Sequence, residues 1–211
     1  VFPALIFDLD GTLIDSLPGI ADSLNHALAA EGLTPHPRPT VQTFIGNGSL
    51  ELARRSLPPG ARDSLAVEIE AGFKRHYAAH WPSGTFLYPG ISELVRELAS
   101  AGHPLAVLSN KPHDFTVEIV RHFFPDEPFS RVLGHSPEHP RKPAPDSSLQ
   151  LLSHWGIGPE NACFVGDSTV DRETATRAGI PFIGVAWGYH APERLGPAVI
   201  ASPGELRARL D

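Results

Sequence analysis

The sequence predicts an α/β fold, a parallel sheet carrying a small inserted all-helical unit. Three observations predict it. Short apolar runs of strand length alternate with segments whose apolar residues recur three and four apart. Residues 16–84 show helical periodicity without a strand signal. Three of the apolar runs end in polar residues of one kind: Asp8 and Asp10, then Ser109 and Asn110, then Asp167 followed by Asp171. Strands alternating with helices imply parallel pairing and right-handed crossovers.

The first strand is Ala4-Leu5-Ile6-Phe7. Residues two apart share a face of a strand, so Asp8 and Asp10 emerge together where it ends, and Gly11 permits a tight turn. Asp15 or Ser16 can then cap a helix with Pro18 in its first turn and Ile20, Leu24, Ala27 and Leu28 on one stripe. Gly32 closes that helix, and Pro35, Pro37 and Pro39 keep the following stretch extended. A short helix from Thr40 to Phe44 breaks at Gly46-Asn47-Gly48. Helices resume from Leu50 to Leu57 and from Arg62 to His80.

From Pro89 the α/β pattern takes over. Helices are expected at Ile91 to Ala101, Phe115 to Phe123, Ser147 to Trp155, Arg172 to Ala178 and from Pro203. Strands are expected at Leu105 to Leu108, Arg131 to Leu133, Ala162 to Val165, Phe182 to Val185 and Ala198 to Ile200. The expected division is a core of 1–15 and 85–211 with a helical insertion of 16–84.

A chain of 211 residues is long enough to bury a real core. The net charge of −7 comes without a basic stripe, which argues against nucleic acid as a partner. The single cysteine, Cys163, lies in an apolar run and reads as a buried structural thiol in a reducing cytoplasm. No apolar run approaches the roughly 20 residues of a membrane helix, and no signal-peptide pattern stands at the N-terminus. A cytoplasmic protein with no membrane partner is therefore expected.

The polar strand ends carry the chemistry. In open α/β sheets ligands bind beyond the carboxyl ends of the strands. If the three strands are neighbours, those ends gather three or four carboxylates, a hydroxyl and an amide. Lys142, in Arg141-Lys142-Pro143-Ala144-Pro145, supplies a cation; the chain has only three lysines against fourteen arginines. A carboxylate cluster with one lysine describes a hard-cation site, for which Mg²⁺ is the natural occupant.

Asp8-Leu9-Asp10-Gly11-Thr12, Ser109-Asn110, Lys142-Pro143 and Gly166-Asp167-Ser168-Thr169-Val170-Asp171 stand in the order of the four motifs of the haloacid dehalogenase-like hydrolase superfamily. The chain resembles that superfamily over essentially its whole length. The resemblance implies a Rossmann-like core with a helical cap, and phosphoryl transfer through an aspartyl-phosphate. It makes Asp8 the nucleophile, Asp10 the acid and base, and Lys142 the group that orients Asp8. Ser109 and Asn110 would bind phosphoryl oxygens. Mg²⁺ would be held by Asp8, the backbone carbonyl of Asp10, and Asp167, with Thr12 and Asp171 in support. Asp10 separates the branches: dehalogenases of the superfamily lack it and transport ATPases carry threonine there.

Within the phosphatase branch the sequence is most similar to phosphoglycolate phosphatases, through Phe44-Ile45-Gly46-Asn47-Gly48, Ser109-Asn110-Lys111-Pro112 and Trp187-Gly188-Tyr189. In such enzymes a cap loop meets the leaving group, and Gly46, Asn47 and Gly48 would cradle a small carboxylate with backbone amides. The expected substrate is a small phosphorylated metabolite, 2-phosphoglycolate first, taken by a monomer or homodimer. Rivals are a pyrophosphatase, a sugar phosphomutase and a non-catalytic phosphate-binding module. The chain departs from relatives at Gly134-His135-Ser136-Pro137-Glu138-His139, where Gly-Gly-Asp-Asp is common.

Plainer readings stand beside these. Asp15 reads as a helix cap rather than a hinge. His135 and His139 read as solvated side chains rather than zinc ligands, for lack of a helix to align them. His113 and His190 read as rim residues, and Trp187 and Tyr189 as packing. Lys111 fits either the pocket mouth or an exposed loop.

Overall fold

The computed structural model describes residues 4–126 and 128–210; residues 1–3, 127 and 211, all within the expected core span, lie outside the described residues. In chain order the elements are β1 (Ala4–Phe7), β2 (Ile14–Asp15), α1 (Leu17–Ala30), α2 (Arg38–Gln42), α3 (Ser49–Arg55), α4 (Asp63–His80), β3 (Phe86–Leu87), α5 (Ile91–Ser100), β4 (Leu105–Pro112), α6 (His113–Phe123), β5 (Arg131–His135), α7 (Asp146–Trp155), β6 (Ala162–Gly166), α8 (Thr169–Ala178), β7 (Phe182–Val185), β8 (Val199–Ile200) and α9 (Pro203–Leu210). The chain divides into two units, one running up to Ile14 and from Leu87 onward, the other from Asp15 to Phe86. The short strands β2 and β3, absent from the sequence reading, pair where the chain leaves and re-enters the first unit.

The first unit is a parallel α/β core. Its six strands lie in the order β5-β4-β1-β6-β7-β8, every neighbouring pair parallel. β1 sits between β4 and β6, and both faces of its Ala4–Phe7 run are buried. That is why the run is continuously apolar instead of alternating. Phe7 pairs with Val107 on one side and Val165 on the other, so the end of β1 lies against both neighbouring strands. The chain fills the β4–β5 side first and then returns across β1 to build β6–β8. The order therefore reverses at β1, the position where open sheets form a ligand crevice.

One sheet face carries Ala4 and Ile6 of β1, Ala106 and Leu108 of β4, and Ala162 and Phe164 of β6; it packs against Leu151 and Leu152 of α7 and Ala175 and Ala178 of α8. Each fully buried Leu, Ile or Phe there contributes about 1.5–3 kcal/mol. Pleat alternation continues this face from Ala4 and Ile6 to Asp8, which puts the first carboxylate on the side covered by α7 and α8.

Three boundaries differ from the sequence reading in ways that matter. β4 does not stop at Leu108: its pairing with β5 slips and resumes at Pro112↔His135, so Ser109, Asn110 and Lys111 belong to the strand. Helix α8 begins at Thr169, not Arg172, because Ser168 forms a capping box with Asp171. In the helical unit, α2 runs from Arg38 to Gln42 rather than from Thr40 to Phe44, with Pro39 in its first turn. There α1 begins after Ser16, and it is Asp15 Oδ1 that accepts from the Leu17 N–H at 3.1 Å.

Candidate active site

The ends of β1 and β6 and the starts of α7 and α8 bring four of the expected residues together. Asp8 follows β1 directly, its N–H bonded to Val165 O at 2.9 Å. Lys142 precedes α7 and reaches across with its Nζ 2.7 Å from Asp8 Oδ1 and 2.6 Å from Asp171 Oδ1. Asp171 lies in the first turn of α8, and Asp167 follows β6. All four are buried. Gly166 permits the approach of Asp171, since a Cβ there would sit 2.6 Å from that side chain's Cβ.

The oxygens of these carboxylates are used unequally. Asp171 is spent: Oδ1 takes Lys142, while Oδ2 accepts from Ser168 N at 3.0 Å and Ser168 Oγ at 2.6 Å. Asp8 Oδ1 accepts from Leu9 N at 2.7 Å as well as from Lys142. Asp167 Oδ2 accepts from Tyr189 N at 2.7 Å. Among the described residues, Asp8 Oδ2 and Asp167 Oδ1 have no hydrogen-bond donor. One atom from each of Asp8, Asp167 and Asp171 falls within 4.8 Å of the others, and no other set of three His, Cys, Asp or Glu among the described residues does so.

Electrostatics marks the cluster as short of positive charge. Burial, and then the charge of Asp171, hold the Asp8 carboxyl well above the ordinary carboxylate range despite Lys142. Burial also raises Asp167, against the hydrogen bond from His190. Burial by itself would lower Lys142, but Asp171 and Asp8 outweigh it and hold the ammonium above its usual value. One cation thus faces three buried carboxylates. The donor set fits a hard dication, with Asp8 and Asp167 offering open oxygens and Asp171 acting through the lysine. A bound dication would reverse the upward shifts.

A second layer holds these groups in place. Trp187 Nε1 donates to Thr12 O at 3.0 Å, and Tyr189 N and His190 Nδ1 meet Asp167 Oδ2, the latter at 3.5 Å. Gly188 lies so close that a Cβ would stand 2.2 Å from Asp167 Cβ and 2.5 Å from Gly11 O. Gly11, at φ +86°, leaves room for the Asp167 carboxylate, whose Oδ2 a Cβ there would meet at 2.4 Å. Trp187, Tyr189 and His190 therefore fasten the turn after β1 to Asp167, a role their reading as packing and rim residues did not include. The pattern Trp187-Gly188-Tyr189 was visible in the sequence; its partner was not.

Two more residues depart from expectation. The Asn110 amide brackets the Lys142 backbone, Oδ1 accepting from Lys142 N at 2.7 Å and Nδ2 donating to Lys142 O at 3.0 Å. Its side-chain amide thereby aims the lysine. Lys111 is neither exposed nor merely at the mouth: its Nζ lies 2.9 Å from Asp10 Oδ1 and 3.2 Å from Oδ2. Ser109 Oγ accepts from Lys111 N at 3.2 Å, and its own O–H has no acceptor among the described residues. The buried Thr12 hydroxyl has no partner either.

The remaining candidates lie apart. His139 Nδ1 is 3.1 Å from Ser136 Oγ and His135 Nδ1 is 3.2 Å from His139 O, so both bond within their own loop. Burial pushes the Cys163 thiol up to about 12, which makes it inert. Gly46, Asn47 and Gly48 belong to the helical unit, between α2 and α3. Arg55 fixes their loop by donating to Asn47 Oδ1 at 3.0 Å and Phe44 O at 3.4 Å.

The family model of haloacid dehalogenase-like hydrolases matches residues 5–185. The chain belongs to this family. The hydrolase is 34% identical over 209 residues to phosphoglycolate phosphatase of Escherichia coli K12, spanning 90% of this chain and 83% of that one. It is likewise 34% identical over 192 residues to the Yersinia pestis phosphoglycolate phosphatase, with the same coverage. Among solved structures it superposes on a predicted phosphoglycolate phosphatase from Haemophilus somnus 129pt with a TM-score of 0.92 at 29% identity, covering 100% and 98% of the two chains. A haloacid dehalogenase-like hydrolase from Streptococcus pneumoniae gives a TM-score of 0.88 at 28% identity, covering 100% and 99%. The hydrolase is thus an enzyme of this phosphatase superfamily, with the carboxylate cluster as its reaction centre. None of its described helices is long and apolar enough to cross a membrane.

Proposed function

We propose that this hydrolase cleaves a small phosphomonoester, 2-phosphoglycolate, with Mg²⁺ through an aspartyl-phosphate on Asp8. The observation that carries the reading is the state of Asp8. It is buried at the end of the central strand, with one oxygen held by Lys142 and the other without a donor among the described residues. The substrate rests on the phosphoglycolate phosphatases to which the chain is similar.

Asp8 attacks phosphorus in line; the new O–P bond forms as the ester P–O bond breaks, and Asp10 gives its proton to the departing alkoxide. Asp10 then takes a proton from water, whose oxygen bonds phosphorus while the P–O bond to Asp8 breaks. That releases phosphate and restores the Asp8 carboxylate. Lys142 holds Asp8 in one orientation and offsets its charge against an anionic substrate. Ser109 donates its O–H to a phosphoryl oxygen, and Asn110 serves by fixing the Lys142 backbone. Asp8, the Asp10 backbone carbonyl and Asp167, with Asp171 and Thr12 in support, would hold Mg²⁺, which would supply positive charge to offset that of the phosphoryl oxygens. Residues 16–84 act as the cap, and Gly46, Asn47 and Gly48 recognise the carboxylate of the leaving group with backbone amides.

A steady-state screen of small phosphomonoesters and pyrophosphate with Mg²⁺ tests this. The expected result is a kcat/KM for 2-phosphoglycolate more than about tenfold (roughly 1.4 kcal/mol) above the rest. A flatter profile demotes the enzyme to a general phosphatase, and a pyrophosphate preference replaces the substrate. Asp8→Asn should abolish turnover of every substrate; substantial activity in that variant refutes the nucleophile.

A further inference from the structure

We propose that Lys111 is the positioning residue of Asp10: it grips both oxygens of that carboxylate and fixes the direction in which Asp10 delivers and accepts its proton. The proposal rests on the acid–base reading of Asp10 given above. The pair joins residues 101 positions apart, with side chains only 7% and 13% exposed.

Two-point contact matters because an aspartate held at one oxygen still turns about its Cβ–Cγ bond. The two lysines of the core divide along this line. Lys142 makes its short contact with Asp8 at Oδ1, and no hydrogen bond among the described residues reaches Oδ2, as suits a nucleophile whose other oxygen must reach phosphorus. Lys111 touches Asp10 at both oxygens, as suits a group that must serve the leaving oxygen and then a water from one stance. The grip does not block proton transfer, since each carboxylate oxygen has a second lone pair.

Lys111 can impose a direction because its own backbone is fixed. Its N–H donates to Ser109 Oγ at 3.2 Å, and the buried Thr116 hydroxyl shares its one proton between Pro112 O at 3.0 Å and Lys111 O at 3.3 Å. Gly134 of β5 lies so close that a Cβ would stand 2.8 Å from Lys111 O. The slip in β4 pairing between Leu108 and Pro112 falls on this stretch. Backbone, neighbouring strand and following helix all bear on one ammonium, and that ammonium bears on Asp10.

The test is a double-mutant cycle read on two substrates, with Mg²⁺ present. On 2-phosphoglycolate, Lys111→Met should lower kcat by about 10- to 100-fold, since a misplacement of about 1 Å costs up to about 10²-fold. KM should stay within about threefold, and Lys111→Arg, which keeps charge and paired donors, should recover most of kcat. On p-nitrophenyl phosphate, whose leaving group departs without a proton, phosphorylation should be spared and hydrolysis slowed. Rapid quench should then show a burst of p-nitrophenolate and accumulated phosphoenzyme in Lys111→Met. In an Asp10→Asn background the same substitution should cost less than about twofold. An undiminished loss in that background, or equal losses on both substrates without phosphoenzyme, overturns the proposal and leaves the acid–base reading standing. Wild-type turnover by Asp10→Asn overturns that reading, and the proposal with it. Should Lys111→Met not fold, Lys111→Gln carries the same cycle.

Discussion

Replacing Lys142 by methionine keeps most of the unbranched side chain and removes the ammonium that lies between Asp8 and Asp171. Taking one partner from a buried ion pair costs about 3–5 kcal/mol, because the remaining charge stays buried without compensation. Here two carboxylates lose contacts of 2.7 and 2.6 Å at once, so the upper half of that range applies. With a urea m-value of about 3 kcal/mol/M, the unfolding midpoint at pH 7.5 should fall by about 1–2 M. The penalty must also depend on pH in a particular direction. Asp8 and Asp167 are already raised by burial, and Asp8 loses the lysine that opposed its rise. A carboxyl whose folded pKa is raised is stabilising while protonated, and that contribution disappears as pH climbs through the folded value. The deficit of Lys142→Met should therefore be largest at pH 7.5 and shrink toward pH 5. Mg²⁺ should offset part of it at pH 7.5. Urea titrations at both pH values, with and without Mg²⁺, read all three effects. A variant as stable as its parent at pH 7.5, or one whose deficit grows on acidification, would refute the account of the cluster as short of positive charge.

Two further outcomes are expected elsewhere. Gly188→Ala drives a methyl into Asp167 and Gly11 O, an overpacking worth about 1–3 kcal/mol. The Mg²⁺ concentration for half-maximal activity should rise at least about tenfold, whereas Gly204→Ala, with open space at its Cβ, should leave it unchanged. In the helical unit, His76 stacks between His26 and His80 with ring centroids 4.1 and 4.0 Å apart. Burial, and then those neighbours, lower its pKa, so the unfolded chain binds a proton that the folded one resists. Stability should fall as pH drops below about 6.5, and His76→Gln should flatten that fall in urea titrations between pH 7.5 and 5.5. An unchanged slope would show that the stack is not what the proton disturbs.

The residues that were legible in the sequence are those whose placement follows from local rules. Asp8 follows from an apolar run and a period of two. Asp167 and Asp171 follow from another such run and a helix start, although the capping box moved that start to Thr169. The partnerships that were not legible are made across the fold. Lys111 meets Asp10 only because β4 lies beside β1, an adjacency that no periodicity specifies. Asn110 looked like a ligand-facing residue because its type suits ligands, and the Trp187–His190 stretch read as packing and rim. Both turn inward, since a buried lysine backbone and a buried carboxylate need hydrogen bonds more than the pocket needs further donors. The paired strands β2 and β3, two residues each, are too short to leave a pattern.

Asp171 closes the first turn of α8 with the same carboxylate that steadies Lys142. The beginning of a helix and the charge balance of a reaction centre are thus one local equilibrium. When that first turn frays, as helix ends do, the lysine loses one of its two anchors and Asp8 loses its fixed counter-ion in the same motion. Amide exchange at the start of α8 would consequently report the fraction of molecules ready to react, and a substitution that merely loosens this cap would lower the apparent number of active sites without touching any group that meets the substrate.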